Sequence, residues 1–314
     1  MSERRLWGIV LAGGEGSRLA ETTQRVYGSR LPKQFLGFGQ SRTFLQATLD
    51  RLEGLIPPER TVVIVAKRYE DVAREQLREF VGLELVAQPR NVGTGPGVLL
   101  PLVHVLKRDR SADVALIPSD HDFRSPAVML QTLARAQQAA ALTRAGTILL
   151  GARAETAASD LGWIVARRTR SNAAVRAIAE FVEKPAQPIA DRLFRQGALW
   201  NTMLSVSRAD ALWRLALRHL PAQAALLGRY AAALGSSARD ACLKDVYSQL
   251  PPADFSRDLV AASQGLRVAV MAGAGWSDCG TPERLAAALG QGPAAVRACG
   301  ARMVAPDAQA QGAF

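Results

Sequence analysis

Leu6-Trp7-Gly8-Ile9-Val10-Leu11-Ala12 runs directly into Gly13-Gly14-Glu15-Gly16-Ser17-Arg18-Leu19. A short apolar run that ends at a glycine cluster reads as a buried strand followed by a turn. Three glycines in four positions permit φ > 0 and let phosphate oxygens approach successive N–H groups, an anion nest at the end of a strand. Arg18 adds a full positive charge beside it. No Gly-Lys-Ser/Thr follows at the spacing of a Walker loop, and Leu19 stands where GxGxxG would place its third glycine, so neither motif applies. Taken alone, such a turn is as easily a tight strand-to-helix connection without a ligand.

The same grammar recurs along the first half. Apolar runs at residues 61–66, 83–87, 114–117 and 147–150 read as further buried strands. Segments of helical periodicity at 44–55, 70–81, 98–107 and 127–142 lie between them. This alternation predicts an α/β fold with a mostly parallel central sheet and helices on both faces. Beyond Gly151 the pattern changes: 163–167, 175–183 and 199–206 are strand-like with no long helix between each pair, which predicts antiparallel additions in the second half. Residues 209–250 are Ala/Leu/Arg-rich and helical until Pro251-Pro252, and 267–272 reads as a last strand. With no internal repeat or linker, residues 1–293 are expected to form one catalytic domain and 294–314 a short helical or frayed tail.

At 314 residues, 48% of them hydrophobic, the chain can bury a large core and does not have a disordered composition. A formal net charge of +11 suits nucleic acid, an anionic membrane surface or a small polyanionic substrate. The basic residues are scattered and no aromatic-rich basic stretch offers stacking platforms, which disfavours specific nucleic-acid binding. No stretch reaches the roughly 18 apolar residues of a membrane span. Cys242, Cys279 and Cys299 are widely separated, so neither a zinc site nor a disulfide framework is implied, and a reducing cytoplasm is the expected location. Self-association stays open.

Further polar motifs fall at the ends of these elements. Leu31-Pro32-Lys33-Gln34-Phe35 supplies Lys33, a mobile point charge able to neutralise a phosphate. Pro118-Ser119-Asp120-His121-Asp122 follows a strand, at the edge where open α/β sheets bind ligands. Alone, Asp120 would be a helix cap or turn residue, and Asp122 reads as a cap. Gln88-Pro89-Arg90-Asn91-Val92-Gly93-Thr94, Asp160-Leu161-Gly162-Trp163-Ile164, Phe181-Val182-Glu183-Lys184-Pro185, Leu199-Trp200-Asn201-Thr202-Met203 and Gly275-Trp276-Ser277-Asp278-Cys279-Gly280-Thr281 complete the set.

LAGGEGSRL followed closely by PKQF resembles the signature of sugar-phosphate nucleotidylyltransferases, and within them of mannose-1-phosphate guanylyltransferases. The resemblance covers roughly residues 6 to 290 and implies a Rossmann-like domain that joins a nucleoside triphosphate to a sugar 1-phosphate with Mg²⁺. It implies nucleotide contacts from Leu11, Ala12, Gly13, Gly14, Gly16, Ser17 and Arg18, with Gln88, Asn91 and Thr94 nearer the base. It implies sugar-phosphate contacts from Gly162, Glu183, Lys184 and Asn201, and metal ligation by Asp120 and Asp278. Arg18, Lys33, Asp120 and Lys184 are then the catalytic group. The sequence departs from the family in three places: no glycine follows Thr202, both tyrosines flanking Gly162 are replaced, and residues 88–96 match only loosely. The missing glycine implies a changed local backbone.

GTP and mannose 1-phosphate are the expected substrates. Thymidylyl or uridylyl transfer to glucose 1-phosphate, or a non-catalytic relative that binds a nucleotide sugar and regulates a partner, are the rivals. A phosphate monoester is already largely ionised near neutral pH, its second pKa being about 6, so no general base is required. None of the three histidines need be catalytic: His104 is expected on a helix, His219 near a helix end, and His121 in support of Asp120.

Overall fold

Apolar runs with no polar interruption fit only where both faces of a sheet are covered. Runs that meet this description form interior strands: β1 (Leu6–Ala12), β2 (Thr61–Ala66) and β4 (Asp113–Pro118), the last two buried along their whole length. The computed structural model describes residues 4–16, 19–142, 146–168 and 174–290. β1 runs parallel to both neighbours, with Ile9 opposite Val62 on one side and Leu116 on the other. β3 (Glu84–Gln88) adds in parallel outside β2.

The crossovers are helical: α1 (Ala20–Tyr27) and α2 (Phe44–Leu52), α3 (Glu70–Gln76) and α4 (Thr94–Arg108). α2 starts at a capping box, in which Thr43 Oγ1 accepts from the Gln46 amide at 3.3 Å and Gln46 Oε1 accepts from the Thr43 amide at 3.1 Å. Such a cap stabilises a helix by about 1 kcal/mol. Period-two alternation sends Ile9, Val62 and Ile64 to one core with α4, and Val10, Val63 and Val65 to a second core with α2 on the opposite face.

After α5 (Pro126–Leu142) and β6 (Thr147–Arg153) the sheet gains β7 (Trp163–Ala166), β8 (Val175–Val182), β9 (Leu199–Arg208) and β10 (Arg267–Val270). The order is β3-β2-β1-β4-β9-β6-β10-β8-β7, with β9 also pairing β7. As the sequence predicts, every antiparallel pairing in this sheet among the described residues involves a strand beyond Gly151, and of those later strands β10 alone also pairs in parallel, with β6. α6 (Gln187–Arg195) lies between β8 and β9, in keeping with the expectation of no long helix there. It is short, and the buried residues it contributes are Ala190 and Leu193. α7 (Ala209–His219), α8 (Pro221–Ala233) and α9 (Arg239–Gln249) follow β9; α7 and α8 pack against α4 and each other, and α9 packs against α8.

β9 changes partners along its length. Ser205 to Arg208 pair with β4, whereas Leu199 and Trp200 pair with β7. Between them the register to β6 steps from Leu149 opposite Ser205 to Gly151 opposite Asn201, a bulge at residues 201–204. Bulges re-aim side chains where a sheet opens, and this one faces a cavity. A second, two-stranded ladder pairs β5 (Asp122–Phe123) with β11 (Trp276–Ser277), followed by α10 (Pro282–Ala288).

Candidate active site

The short ladder decides the geometry of the site. Ser277 lies opposite Asp122 and Trp276 opposite Phe123, so Asp120, just before β5, and Asp278, just after β11, arrive at the same end. Asp122 is therefore a pairing residue, not the cap the sequence suggests. Ser119 Oγ donates to the Leu11 carbonyl at 2.9 Å, which ties the end of β4 to the end of β1.

Lys33 joins these pieces. Its ammonium lies 3.1 Å from Asp120 Oδ2, donates to the Cys279 carbonyl at 3.1 Å and also donates to the Asp278 carbonyl. An ammonium has three protons to give, and three oxygens take them. With 7% of its surface exposed, Lys33 is a buried anchor, which corrects the mobile charge expected from sequence. Burial works to raise the Asp120 pKa, but the Lys33 charge, with help from His121, holds it below the ordinary aspartate value.

Burial pushes the His121 pKa down to about 4 against the pull of Asp120, so the ring is neutral. Trp276 Nε1 donates to His121 Nδ1 at 3.1 Å, which assigns the ring proton to Nε2, 3.8 Å from Asp120 Oδ1. His121 thus supports Asp120. Ring contacts continue from His121 to Trp276, then to Trp200 and Trp163, with centroids 5.3, 6.0 and 6.4 Å apart, the first and last edge-on and the middle one tilted. Each such pair contributes about 1 kcal/mol beyond its burial, and the row stiffens the wall between the two carboxylates and β9.

Asp278 is buried, and its Oδ1 accepts from the Gly280 amide at 3.0 Å and faces Arg284 Nε at 3.0 Å. Arg284 also forks onto both carboxylate oxygens of Asp160. Asp278 Oδ2 has no partner among the described residues.

Across the cavity, Glu183 and Lys184 follow β8. Glu183 Oε2 is buried without a hydrogen-bond partner. Burial pushes the Glu183 carboxyl pKa up, opposed by Lys184, whose Nζ is 3.7 Å from Oε1. Gly162 accepts from the Asn201 amide at 2.7 Å. A Cβ on Gly162 would come within 2.5 Å of Glu183 Oε2 and 3.1 Å of the Asn201 Cβ, so this glycine is required for the three residues to meet. Asn201 Oδ1 accepts from the Met203 amide at 3.3 Å. Met203 itself has φ +63°, a region that glycine enters freely and other residues at a cost. The missing glycine has therefore not moved the backbone to an ordinary strand conformation; methionine holds the left-handed one.

The glycine turn faces the opposite wall. Gln34 Nε2 donates to the carbonyls of Ala12 and Gly14 at 3.0 and 2.8 Å, and Gln88 Nε2 donates to that of Gly13 at 3.3 Å. Two amide side chains thus take up three consecutive carbonyls. Of the three glycines only Gly16 has positive φ, at +67°, and a Cβ there would sit 2.9 Å from the Pro32 Cα. A Cβ on Gly13 would lie 2.7 Å from Gln88 Nε2 and would push the end of that side chain aside. Gln88 Oε1 is buried with no partner. Thr94 begins α4, accepts from the Phe255 amide at 2.8 Å and donates to Asp254 Oδ2 at 3.3 Å.

One cavity of about 410 Å³ gathers most of the expected residues: Leu11, Gly13, Gly14, Gln88, Asn91, Thr94, Asp120, Gly162, Glu183, Lys184, Asn201 and Asp278 all line it. Ala12 lies buried beneath the turn and Lys33 behind Asp120. Ser17, Arg18 and the tail from residue 291 onward fall outside the described residues. Gln34, Asp254 and Arg284 were not expected. Gln34 had a signal in its place beside Lys33, and Asp254 in the N-cap it forms with the Arg257 amide at 2.8 Å. Arg284 had none. No helix among the described residues is long and apolar enough to cross a membrane.

A mostly parallel sheet with a glycine turn after its first strand, and two carboxylates meeting in a cavity beyond the strand ends, is the frame of a nucleotide-transferring enzyme. The nucleotidyl transferase family model matches residues 7–291, and the chain belongs to that family. Within it, Mannose-1-phosphate guanylyltransferase 2 of Escherichia coli O157:H7 is 29% identical over 221 residues, covering 67% of this chain and 44% of its own length. Mannose-1-phosphate guanylyltransferase RfbM of Salmonella typhimurium is 31% identical over 209 residues, 65% of this chain and 42% of its own length. The chain thus spans less than half the length of these relatives. Among solved structures, a protein described as a mannose-1-phosphate geranyltransferase from Thermus thermophilus superposes with a TM-score of 0.78 at 30% identity, covering 92% of this chain and 80% of that one.

Proposed function

We propose that this chain transfers the guanylyl group of GTP to mannose 1-phosphate in a Mg²⁺-dependent reaction that yields GDP-mannose and pyrophosphate. The observation that carries this reading is the meeting of Asp120 and Asp278 in one cavity, opposite Lys184 and beside the glycine turn.

Two polyanions must come within about 3 Å of reacting distance. Arg18 and the amides of the glycine turn would hold the β and γ phosphates, and Lys184 the incoming sugar phosphate. Glu183 Oε2, lacking a partner, would accept from a sugar hydroxyl, and Asn201 would give and take a second bond. Gln88, with its Nε2 committed to Gly13, presents an acceptor to the base. Guanine N1–H or its amino group meets that need, and so does the N3–H of uracil or thymine.

The donor set suits Mg²⁺, which binds one or two carboxylates and completes its octahedron with water and substrate phosphates. Among the described residues no group of three or more His, Cys, Asp or Glu could hold an ion by itself, which a metal shared with substrate does not require. Bound there, it would neutralise phosphate charge between the two substrates. A mannose 1-phosphate oxygen forms the new bond to the α phosphorus in line. The bond from that phosphorus to the β-bridging oxygen breaks, and pyrophosphate leaves with the electron pair. Positioning and charge neutralisation supply the rate, with Lys33 and Arg284 fixing the carboxylates from behind.

Pyrophosphate release from a panel of triphosphates and sugar 1-phosphates, with and without Mg²⁺, tests this. GTP with mannose 1-phosphate should exceed every other pair at least about tenfold, the scale one well-placed polar contact provides. Preference for UTP or dTTP with glucose 1-phosphate would reassign the substrates. Release from no pair, with retained GDP-mannose binding, would favour a non-catalytic binder.

A further inference from the structure

A second, larger concavity of about 790 Å³ shares no residue with the cavity above. It lies where the ends of β6 and β10, the start of β8, the α6–β9 turn and one face of α5 meet, and apart from its arginines it is lined mostly by alanine. Arg135, Arg153, Arg168 and Arg176 line it, and no carboxylate does among the described residues. Many exposed arginines elsewhere are matched, among them Arg42 with Asp50, Arg74 with Glu70, Arg214 with Asp210 and Arg229 with Asp245. None of the four pocket arginines has an acidic partner within 4 Å among the described residues. Like charges gathered around one hollow repel, and a bound anion relieves that repulsion.

We propose that this hollow binds a small organic anion carrying two or more phosphate groups. Guanidinium groups present planar forks that match phosphate oxygens two at a time. The volume falls within the range of small-molecule sites. Phe194, 39% exposed, stands at the wall as an apolar face for a base or sugar. A nucleic-acid strand would need an extended stripe with several aromatic platforms, whereas the charge here converges on a hollow with one ring.

The hollow also has a covalent path to the sugar side of the catalytic cavity. Leu199 lines the hollow and Asn201, two residues on along β9, lines the cavity. Their ladder partners on β6 are Arg153 and Gly151. Occupancy should therefore change the KM for the sugar phosphate more than that for the triphosphate.

Calorimetric titration of the full chain with inorganic triphosphate, without metal, reads the site directly and does not depend on the catalytic assignment. Wild type should bind at the hollow in addition to the active cavity. Arg153→Ala/Arg176→Ala should weaken one class of binding at least about tenfold while basal turnover stays within about twofold of wild type. Lys184→Ala should weaken the other class alone. Arg135→Ala, on a separate element, should weaken the hollow's class as well and guards against misfolding of the double variant. Unchanged binding in both arginine variants overturns the proposal, as does a single binding class abolished by Lys184→Ala. So does arginine-dependent binding of a single-stranded oligonucleotide with none of triphosphate.

Discussion

The Nζ of Lys33 lies 3.1 Å from Oδ2 of Asp120, and the same ammonium donates to the main-chain carbonyls of Asp278 and Cys279. One buried cation therefore holds the loop after β4 against the segment after β11. The relative position of the two carboxylates proposed to share a metal depends on it.

Replacing Lys33 with methionine keeps the stem's bulk and removes the anchor. Breaking a fully buried ion pair by deleting one partner costs about 3–5 kcal/mol. Asp120 retains 31% side-chain exposure, and solvent screening lowers the expected loss to about 2 kcal/mol. Urea unfolding of K33M, D120N and the double variant should give a coupling of at least about 1 kcal/mol. Additive losses would mean the pair contributes nothing to the fold. Turnover in K33M should fall at least about a hundredfold, because a shift of about 1 Å at a reacting centre has that effect.

Gly162→Ala tests the sugar side. The new Cβ would meet Glu183 Oε2 at 2.5 Å and Asn201 at 3.1 Å, so both polar groups must give way while the glycine turn stays untouched. The KM for the sugar phosphate should rise about tenfold or more, an effect comparable to losing one hydrogen bond to a charged group, with the triphosphate KM within about twofold. Equal rises in both would place Gly162 outside the sugar subsite.

How far the sequence reaches is clear from these residues. The parallel half was readable because buried strands such as β2 are apolar after the first residue, and the strand–turn unit from Leu6 onward needs no tertiary information. Glu183, Asn201 and Gly162 were readable only through family resemblance, since nothing local brings three strand ends together. The β5–β11 ladder was invisible: two residues per strand carry no periodicity, yet their pairing brings Asp278 to Asp120. Lys33 was singled out from the sequence but given the wrong mobility, because lysine is rarely buried and two of its acceptors are main-chain carbonyls far along the chain.

A buried polar link outside the active site gives a pH prediction. His104 Nδ1 lies 2.6 Å from Glu84 Oε1, its Nε2 lies 3.0 Å from the Tyr230 hydroxyl, and Arg108 approaches the other Glu84 oxygen at 3.4 Å. The His104 hydrogen bond, against burial and aided by the charges of His104 and Arg108, holds the Glu84 pKa below its ordinary 4.5. A carboxylate depressed on folding adds stability above the unfolded pKa and loses it as pH falls through the folded one. The stability gap between wild type and Glu84→Gln should therefore shrink as the pH falls below about 4.5. Urea midpoints across that range check it, and a gap that widens on acidification would reverse the sign.

Met203 offers a test in which only one atom changes. Its φ of +63° disfavours any residue with a Cβ by about 1 kcal/mol. The side chain is partly buried and accepts a weak bond from Ser256 Oγ, with sulfur 3.5 Å away. Met203→Ala and Met203→Gly both delete those contacts, so their difference isolates the backbone. At an ordinary interior position alanine is the more stable by about 0.5–1 kcal/mol, because glycine has more freedom to lose. Here the order should invert, with the glycine variant more stable by about 1 kcal/mol, measurable as a difference in urea midpoint. The bulge at residues 201–204 is what demands this conformation: it carries β9 from β4 to β7 and points Asn201 at the cavity. If alanine proved the more stable, the left-handed turn would not exist in solution, and the placement of Asn201 beside Gly162 and Glu183 would lose its structural basis.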